Sequence, residues 1–205
     1  MGLHQVDTEQ QKNGRMSAWL PVVVITAIVI LLGLFGDAAR SLLSLDRPAV
    51  ASGEVWRLLS AHFVHLGPSH LILNLVGLWL VWYLVGSCFH GSRWVFVWLL
   101  SIAGVSLGLW FREPQLQWYV GLSGVLHGLL AAGIVGSLRQ PRVDIWVLAT
   151  ALVAKIAWEQ LFGPLPGSET SSGGTVIVDA HLYGAIAGAL ASGLIAIRVS
   201  AQASI

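Results

Sequence analysis

Long apolar runs, separated by short polar breaks, dominate the chain of 205 residues. Six of these runs approach or exceed the roughly 20 residues that a helix needs to cross a bilayer. They extend over residues 19–35, 69–85, 94–111, 121–138, 143–162 and 176–199. Pro68 stands at the start of the second run, where proline suits the first turn of a helix. The pattern predicts an all-α polytopic membrane protein with six transmembrane helices.

The segments outside these runs divide the chain further. Residues 1–18 are polar and predict a solvated N-terminal arm. The membrane domain is expected over residues 19–199, followed by a short C-terminal tail at residues 200–205. Residues 37–69 mix charged and apolar side chains, a pattern typical of an amphipathic segment lying at the membrane interface. Residues 163–175 are rich in Gly, Pro and Ser, and they predict a flexible linker.

The composition excludes several classes of protein. Hydrophobic residues make up 56% of the chain and charged residues only 10%, whereas soluble domains carry about 25% charged residues. The formal net charge of +1 provides no basic surface, so a nucleic-acid partner is not expected. Ten tryptophans and three tyrosines are consistent with a membrane protein, because these rings collect at membrane interfaces.

The distribution of basic residues favours a cytoplasmic N-terminus. With that orientation, six basic residues fall on the cytoplasmic side: Lys12, Arg15, Arg93, Arg139, Arg142 and Arg198. Four fall on the opposite side: Arg40, Arg47, Arg57 and Arg112. Cytoplasmic loops carry the excess of Lys and Arg in membrane proteins, so the six-to-four division supports this orientation.

Polar side chains inside the predicted spans are few and mark candidate functional positions. Such groups are costly in the bilayer and usually serve a function. His70 and Asn74 share one face of the second span because they are four residues apart. Ser123 and His181 could supply a nucleophile and a general base from two different helices. Taken singly, each has a structural alternative, since a serine in a helix often bonds its own backbone. Taken together, they predict a hydrolytic site in which His70 and Asn74 stabilise an oxyanion.

Small residues next to these positions explain how the two helices could meet. They are Gly121, Gly124, Gly128, Gly184 and Gly188. Glycines four residues apart let helix backbones approach closely in membranes, which would bring Ser123 within reach of His181. The motif is not diagnostic by itself, because Gly104 and Gly108 repeat it on the third span.

The order and spacing of these motifs resemble those of the rhomboid intramembrane serine proteases. The matching residues are Glu54-x-Trp56-Arg57, His65, His70-x-x-x-Asn74, Gly121-x-Ser123-Gly124 and Ala180-His181-x-x-Gly184-x-x-x-Gly188. The resemblance covers residues 19–199 and implies the rhomboid fold. It also implies that Ser123 and His181 form a catalytic dyad with no third, acidic member. His70, Asn74 and the backbone amide of Ser123 would form the oxyanion hole.

Further features are similar to the rhombosortase branch of that family. They are the short six-helix body, the sequence Gly-Leu-Ser-Gly-Val-Leu-His-Gly at residues 121–128 and Trp158-Glu159-Gln160. This resemblance implies a bacterial inner-membrane enzyme that trims Gly-Gly-containing C-terminal anchors from secreted proteins. Its partners would be the lipid bilayer and membrane-anchored substrates with a C-terminal transmembrane segment.

Three secondary candidates remain beside the dyad. His127 lies one turn after Ser123 and is an alternative base. Lys155 and Glu159 are four residues apart on the fifth span and are expected to pair. We expect this pair to be structural rather than a substrate contact.

No metal or other cofactor is predicted. His62, His65 and His70 are close in the sequence, but Gly67-Pro68 interrupts the helix between them. The chain also has no His-Glu-x-x-His motif of the kind that binds zinc in metalloproteases.

Three other functions compete with a sorting protease. The chain could be a general rhomboid protease of other single-pass proteins, or a non-catalytic rhomboid-like protein that binds membrane clients. A proton-coupled transporter could use His70, His181, Lys155 and Glu159 as a relay. However, transporters of that kind commonly show inverted repeats or paired broken helices, and the sequence shows neither.

Overall fold

The structure is a computed structural model that describes residues 3–139 and 142–203. Side chains are described for residues 19–139 and 142–202. The side chains of the expected N-terminal arm and the end of the expected C-terminal tail therefore lie outside the described residues.

Helices account for nearly all of the regular structure. In chain order they are α1 (Leu3–Leu34), α2 (Gly36–Leu43), α3 (Arg47–Ala51), α4 (Arg57–Ser60), α5 (Pro68–Val85), α6 (Ser92–Arg112), α7 (Ser123–Ser137), α8 (Val143–Phe162), α9 (Ser168–Ser172) and α10 (Val178–Ala203). Single 3-10 turns occur at Ala61–Phe63 and Gly86–Cys88. Strands β1 (Leu45–Asp46) and β2 (Trp118–Tyr119) form one antiparallel pair.

The six predicted spans correspond to α1, α5, α6, α7, α8 and α10, so the all-α polytopic membrane fold is confirmed. Within the described residues, α5, α6, α8 and α10 are long and apolar enough to cross a bilayer by themselves. The apolar part of α1 meets this criterion only together with α2, and the two helices are bent by 109°. α7 has 15 residues, or about 22 Å at 1.5 Å per residue, which is shorter than a typical hydrocarbon core.

α7 lies at the centre of the protein. It contacts α5, α6, α8 and α10, and most of its side chains from Gly124 to Ile134 are buried. The predicted start of this helix at Gly121 is wrong by two residues. Gly121 has φ of +122°, which is not helical, and its N–H donates to the Ala61 carbonyl at 3.0 Å. The helix therefore begins at Ser123.

Glycines allow α7 and α10 to touch through their backbones. A Cβ atom at Gly184 would overlap the carbonyl oxygen of Gly124, and one at Gly188 would overlap that of Gly128. Both glycine pairs ascend together along the chain, so the two helices run parallel. α6 packs against both α7 and α10, and its Gly108 faces the ring of Tyr183 on α10. Glycine spacing thus matters on the third span as well as on the fourth and sixth.

Short elements hold residues 37–69 in place. β1 pairs with β2, which connects this segment to the loop that precedes α7. The guanidinium of Arg47 donates to four carbonyls at the end of α6 and in the loop that follows, including those of Leu109 at 3.0 Å and Glu113 at 2.8 Å. These bonds hold the start of α3 against the end of α6. The buried Arg57 bonds Glu54 at 2.7 Å. The expected amphipathic segment thus consists of short helices and one short strand that are held in place by hydrogen bonds.

The glycine contact between α7 and α10 predicts a difference between two glycines of the same helix. Gly188→Ala should lower the unfolding temperature, because overpacking typically costs about 1–3 kcal/mol and the opposing atom is backbone that cannot rotate away. Gly193→Ala is the matched control, since a Cβ there meets nothing within 4 Å. It should leave stability unchanged or raise it by up to about 1 kcal/mol. Thermal unfolding in detergent measures both, and equal effects would contradict the packing argument.

Candidate active site

Ser123 and His181 come together at the N-terminal ends of the two parallel helices. Ser123 is the first residue of α7, and His181 lies in the first turn of α10. Ser123 Oγ is 3.0 Å from His181 Nε2, which is hydrogen-bonding distance. His181 is only 5% exposed, so its imidazole is held in one place by its surroundings. This is the distance that a serine nucleophile and its general base require.

The other nitrogen of His181 faces a carboxylate. Nδ1 donates to Glu159 Oε2 at 2.9 Å, and Lys155 Nζ donates to Glu159 Oε1 at 2.6 Å. Lys155 Nζ is also 3.4 Å from His181 Nδ1, but two donors do not bond each other, and the carboxylate accepts from both. Because a carboxylate only accepts, Nδ1 carries the proton and Nε2 keeps its lone pair for the hydroxyl of Ser123.

The acidic partner of His181 is a difference from the dyad that the resemblance implies. The pairing of Lys155 with Glu159 occurs as expected, but Glu159 is not confined to that pair. The signal in the sequence was a carboxylate inside a span, which must find donors in the bilayer. Lys155 accounted for one of its two oxygens. The second donor comes from α10, which no spacing along α8 could indicate.

His127 occupies a different place from the one a general base would need. Its Nδ1 donates to the backbone carbonyl of Ser123 at 2.7 Å, which is an i, i+4 bond along α7. Its ring stacks on that of His181, with centroids 4.2 Å apart and an interplanar angle of 20°. The geometry therefore favours His181 as the partner of the Ser123 hydroxyl and gives His127 a packing role.

His70 and Asn74 lie beside Ser123 on α5. The Leu66 N–H donates to His70 Nδ1 at 3.3 Å, so Nε2 carries the proton of this ring. The ring packs against Gly121, where a Cβ would come within 2.8 Å of it. Asn74 is buried, and its amide donates to the His70 carbonyl at 2.9 Å. Both side chains line the same cavity as Ser123, which places potential oxyanion donors near the hydroxyl.

A cavity of about 530 Å³ connects these groups. Its walls come from α5, α7, α8 and the segment between α8 and α10. That segment, which was expected to be a flexible linker, contains α9 and contributes Leu165, Ser168 and Ser172 to the wall. Ser172 is itself buried, so this part of the linker is packed rather than free.

The histidine-rich clusters do not have the geometry of a metal site. His127, Glu159 and His181 place one possible ligand atom each within 4.8 Å of one another. However, the two imidazoles are stacked, and their lone pairs lie in nearly parallel ring planes that cannot converge on one ion. Both nitrogens of His181 are also occupied by Ser123 and Glu159.

His62 and His65 precede α5 and are buried. His62 Nε2 bonds Ser106 Oγ at 2.9 Å. Burial and the neighbouring His70 lower the pKa of His65 to about 3. Burial likewise lowers the pKa of His62 to about 4. Both side chains are therefore neutral at physiological pH.

These features define an all-helical membrane protein with a serine–histidine pair in a cavity among its spans. The chain matches the Rhomboid domain family over residues 52–198, and it belongs to that family. It is 26% identical to rhomboid protease GluP of Bacillus subtilis, over 72% of this chain and 27% of that protein. It is 27% identical to rhomboid protease GlpG of Klebsiella pneumoniae, over 71% of this chain and 52% of that protein. The chain thus spans about a quarter to a half of these relatives' length.

Replacing each of the two stacked histidines should have very different effects on the reactivity of Ser123. His127→Phe keeps an aromatic ring against His181, so we expect less than about a tenfold change in labelling by a fluorophosphonate probe. His181→Phe removes the ring that bonds Ser123 Oγ and should lower labelling by about 10³-fold or more. Labelling rates measured by in-gel fluorescence separate the two. Loss with His127→Phe and retention with His181→Phe would reverse the assignment of the base.

Proposed function

We propose that this protein is an intramembrane serine protease that hydrolyses a peptide bond within or beside the transmembrane anchor of its substrate. The observation that carries the proposal is the 3.0 Å contact between Ser123 Oγ and His181 Nε2 in a cavity among the spans. The similarity to rhomboid proteases GluP and GlpG supports the same activity.

Acylation follows from the geometry of the pair. His181 Nε2 takes the proton of the Ser123 hydroxyl while Oγ attacks the carbonyl carbon of the scissile bond. The negative charge then develops on the carbonyl oxygen, where His70, Asn74 and the backbone N–H of Ser123 would donate hydrogen bonds. His181 returns the proton to the leaving amine as the C–N bond breaks, which leaves the substrate acylated on Ser123.

Water completes the reaction. A water molecule gives a proton to His181 Nε2 and attacks the acyl carbon, and His181 then protonates Ser123 Oγ as the enzyme is released. Because bulk water is absent from the bilayer core, the cavity must supply it. The serines of α9 and the charged pair on α8 provide a polar route on that side of the cavity.

Substrate entry is assigned to the side of the cavity between α5 and α8. Only 11% of the α8 span is buried inside the protein, and its main contacts are with α7 and α10 rather than with α5. α9 packs on α5 next to this opening. Displacement of α8 and the segment that follows it would open the cavity to a chain in the lipid, which is a gating step.

The substrate class is proposed from the sequence features shared with the rhombosortase branch together with the physics of unwinding. A helical carbonyl is already bonded and shielded, so an intramembrane protease cuts backbone that has left its helix. Glycine lowers helix stability by about 1 kcal/mol relative to alanine. A Gly-Gly pair beside a C-terminal anchor would therefore unwind easily and enter a narrow cavity. The enzyme would act in a bacterial inner membrane with its N-terminus in the cytoplasm.

The activity is tested by covalent labelling and proteolysis with the same preparation. The wild-type protein should react with a fluorophosphonate probe and cleave an anchored substrate, whereas Ser123→Ala should do neither. Ser123→Ala should retain the wild-type unfolding temperature, since only a hydroxyl is removed. A correctly folded wild type that neither reacts nor cleaves would instead support a non-catalytic protein that binds membrane clients.

The substrate class has a separate test in cells that express the wild-type enzyme. A secreted reporter with a Gly-Gly pair, an apolar C-terminal span and a basic cytoplasmic tail should be trimmed and released. Replacing the pair by Leu-Leu should stop the release, because leucine stabilises the helix that must unwind. Immunoblotting and mass spectrometry of the new C-terminus measure the outcome. Equal cleavage of both reporters would indicate a general rhomboid protease with no sorting role.

A further inference from the structure

We propose, building on the proposed protease function, that Glu159 is a positioning residue that orients His181 and completes a Ser–His–Glu triad within the membrane. Lys155 holds the carboxylate in turn. The site is then a chain of four side chains, and its acidic member comes from α8, a helix that carries neither the nucleophile nor the base.

The contacts of Glu159 show that both of its oxygens are committed. Oε2 accepts from His181 Nδ1 at 2.9 Å and Oε1 accepts from Lys155 Nζ at 2.6 Å. The carboxylate is only 3% exposed, whereas the Lys155 side chain is 31% exposed. Oε1 therefore faces the Lys155 ammonium. Oε2 faces the His181 ring, whose other nitrogen contacts Ser123.

The contacts of Glu159 go beyond those of an ion pair along α8. An intrahelical Lys–Glu pair needs only its two members, whereas Glu159 also accepts from His181 on α10. α8 is largely unburied, yet Glu159 is one of its three buried residues, the others being Ile145 and Leu152. A charged side chain on a transmembrane span is placed inward, away from the lipid, where it must find donors. The inward position brings it to His181.

The consequence for the chemistry is a fixed tautomer and a compensated charge. A carboxylate that accepts from Nδ1 keeps the proton on that nitrogen and leaves Nε2 free to accept from the serine hydroxyl. When His181 takes that proton, the new positive charge is adjacent to Glu159, which stabilises it. In soluble serine proteases, replacing this carboxylate by its amide lowers kcat by about 10⁴-fold, because the amide favours the wrong tautomer.

The test uses the full-length protein in detergent or proteoliposomes with a cleavable anchored substrate. Glu159→Gln should lower kcat by about 10² to 10⁴-fold and leave KM within about threefold of the wild-type value. Glu159→Asp keeps the carboxylate and should recover part of the loss. Lys155→Met is the comparison variant, because it removes the ammonium from the group but keeps the carboxylate and its bond to His181. It should lower kcat by less than about tenfold.

A double variant covers the case in which Glu159→Gln does not fold because Lys155 is left unpaired. Lys155→Met/Glu159→Gln contains no unpaired charge and should fold, with the full loss of kcat retained. Wild-type kcat in this double variant, or equal losses for Glu159→Gln and Lys155→Met, would overturn the triad. These outcomes are distinct from failure of the protease proposal, which would show as no labelling and no cleavage by the wild-type protein.

Discussion

α10 crosses α7 with backbone against backbone at Gly184 and Gly188. Helices in a bilayer gain no hydrophobic driving force from touching each other, so they associate where small residues allow dense packing. This contact sets the distance between the first turns of the two helices. The 3.0 Å separation of Ser123 Oγ and His181 Nε2 depends on this contact. Ser123 directly precedes Gly124 on α7, and His181 lies one turn before Gly184 on α10. The loop before α7 ends at Gly121, whose φ is positive, two residues before Ser123.

Charge is the second constraint, and it is met within a single group of side chains. Lys155 and Glu159 together are neutral, and the carboxylate accepts from both the ammonium and the imidazole. A buried charge without a partner would be strongly destabilising, so each member depends on the others. His127 covers the face of His181 by stacking. The imidazole is thus restrained at its face and at both nitrogens, which leaves little freedom except the movement of a proton.

The sequence was sufficient for the features that depend on local pattern. Apolar runs located the six helices, and the bounds of α8 agree with the prediction at both ends. Features that depend on contacts between distant segments were not accessible. The start of α7 is fixed by the Ala61 carbonyl, about 60 residues before it, and no periodicity reports such a bond. The expected Lys155–Glu159 pair is present, but the bond from His181 to Glu159 joins α10 to α8, and only their packing creates it.

Because Glu159 lies on α8, the helix beside the proposed substrate entry also carries the hydrogen-bond partner of His181. α8 is the least buried of the four long spanning helices, and it borders the cavity on the side assigned to substrate entry. In the proposed gating step, outward displacement of α8 would lengthen the bond from Glu159 to His181, while the glycine contact would keep His181 beside Ser123. An open cavity would therefore hold a serine–histidine pair whose tautomer is no longer fixed. Closure of α8 around a substrate would restore the carboxylate to Nδ1, so that the base is set when the scissile bond is in place.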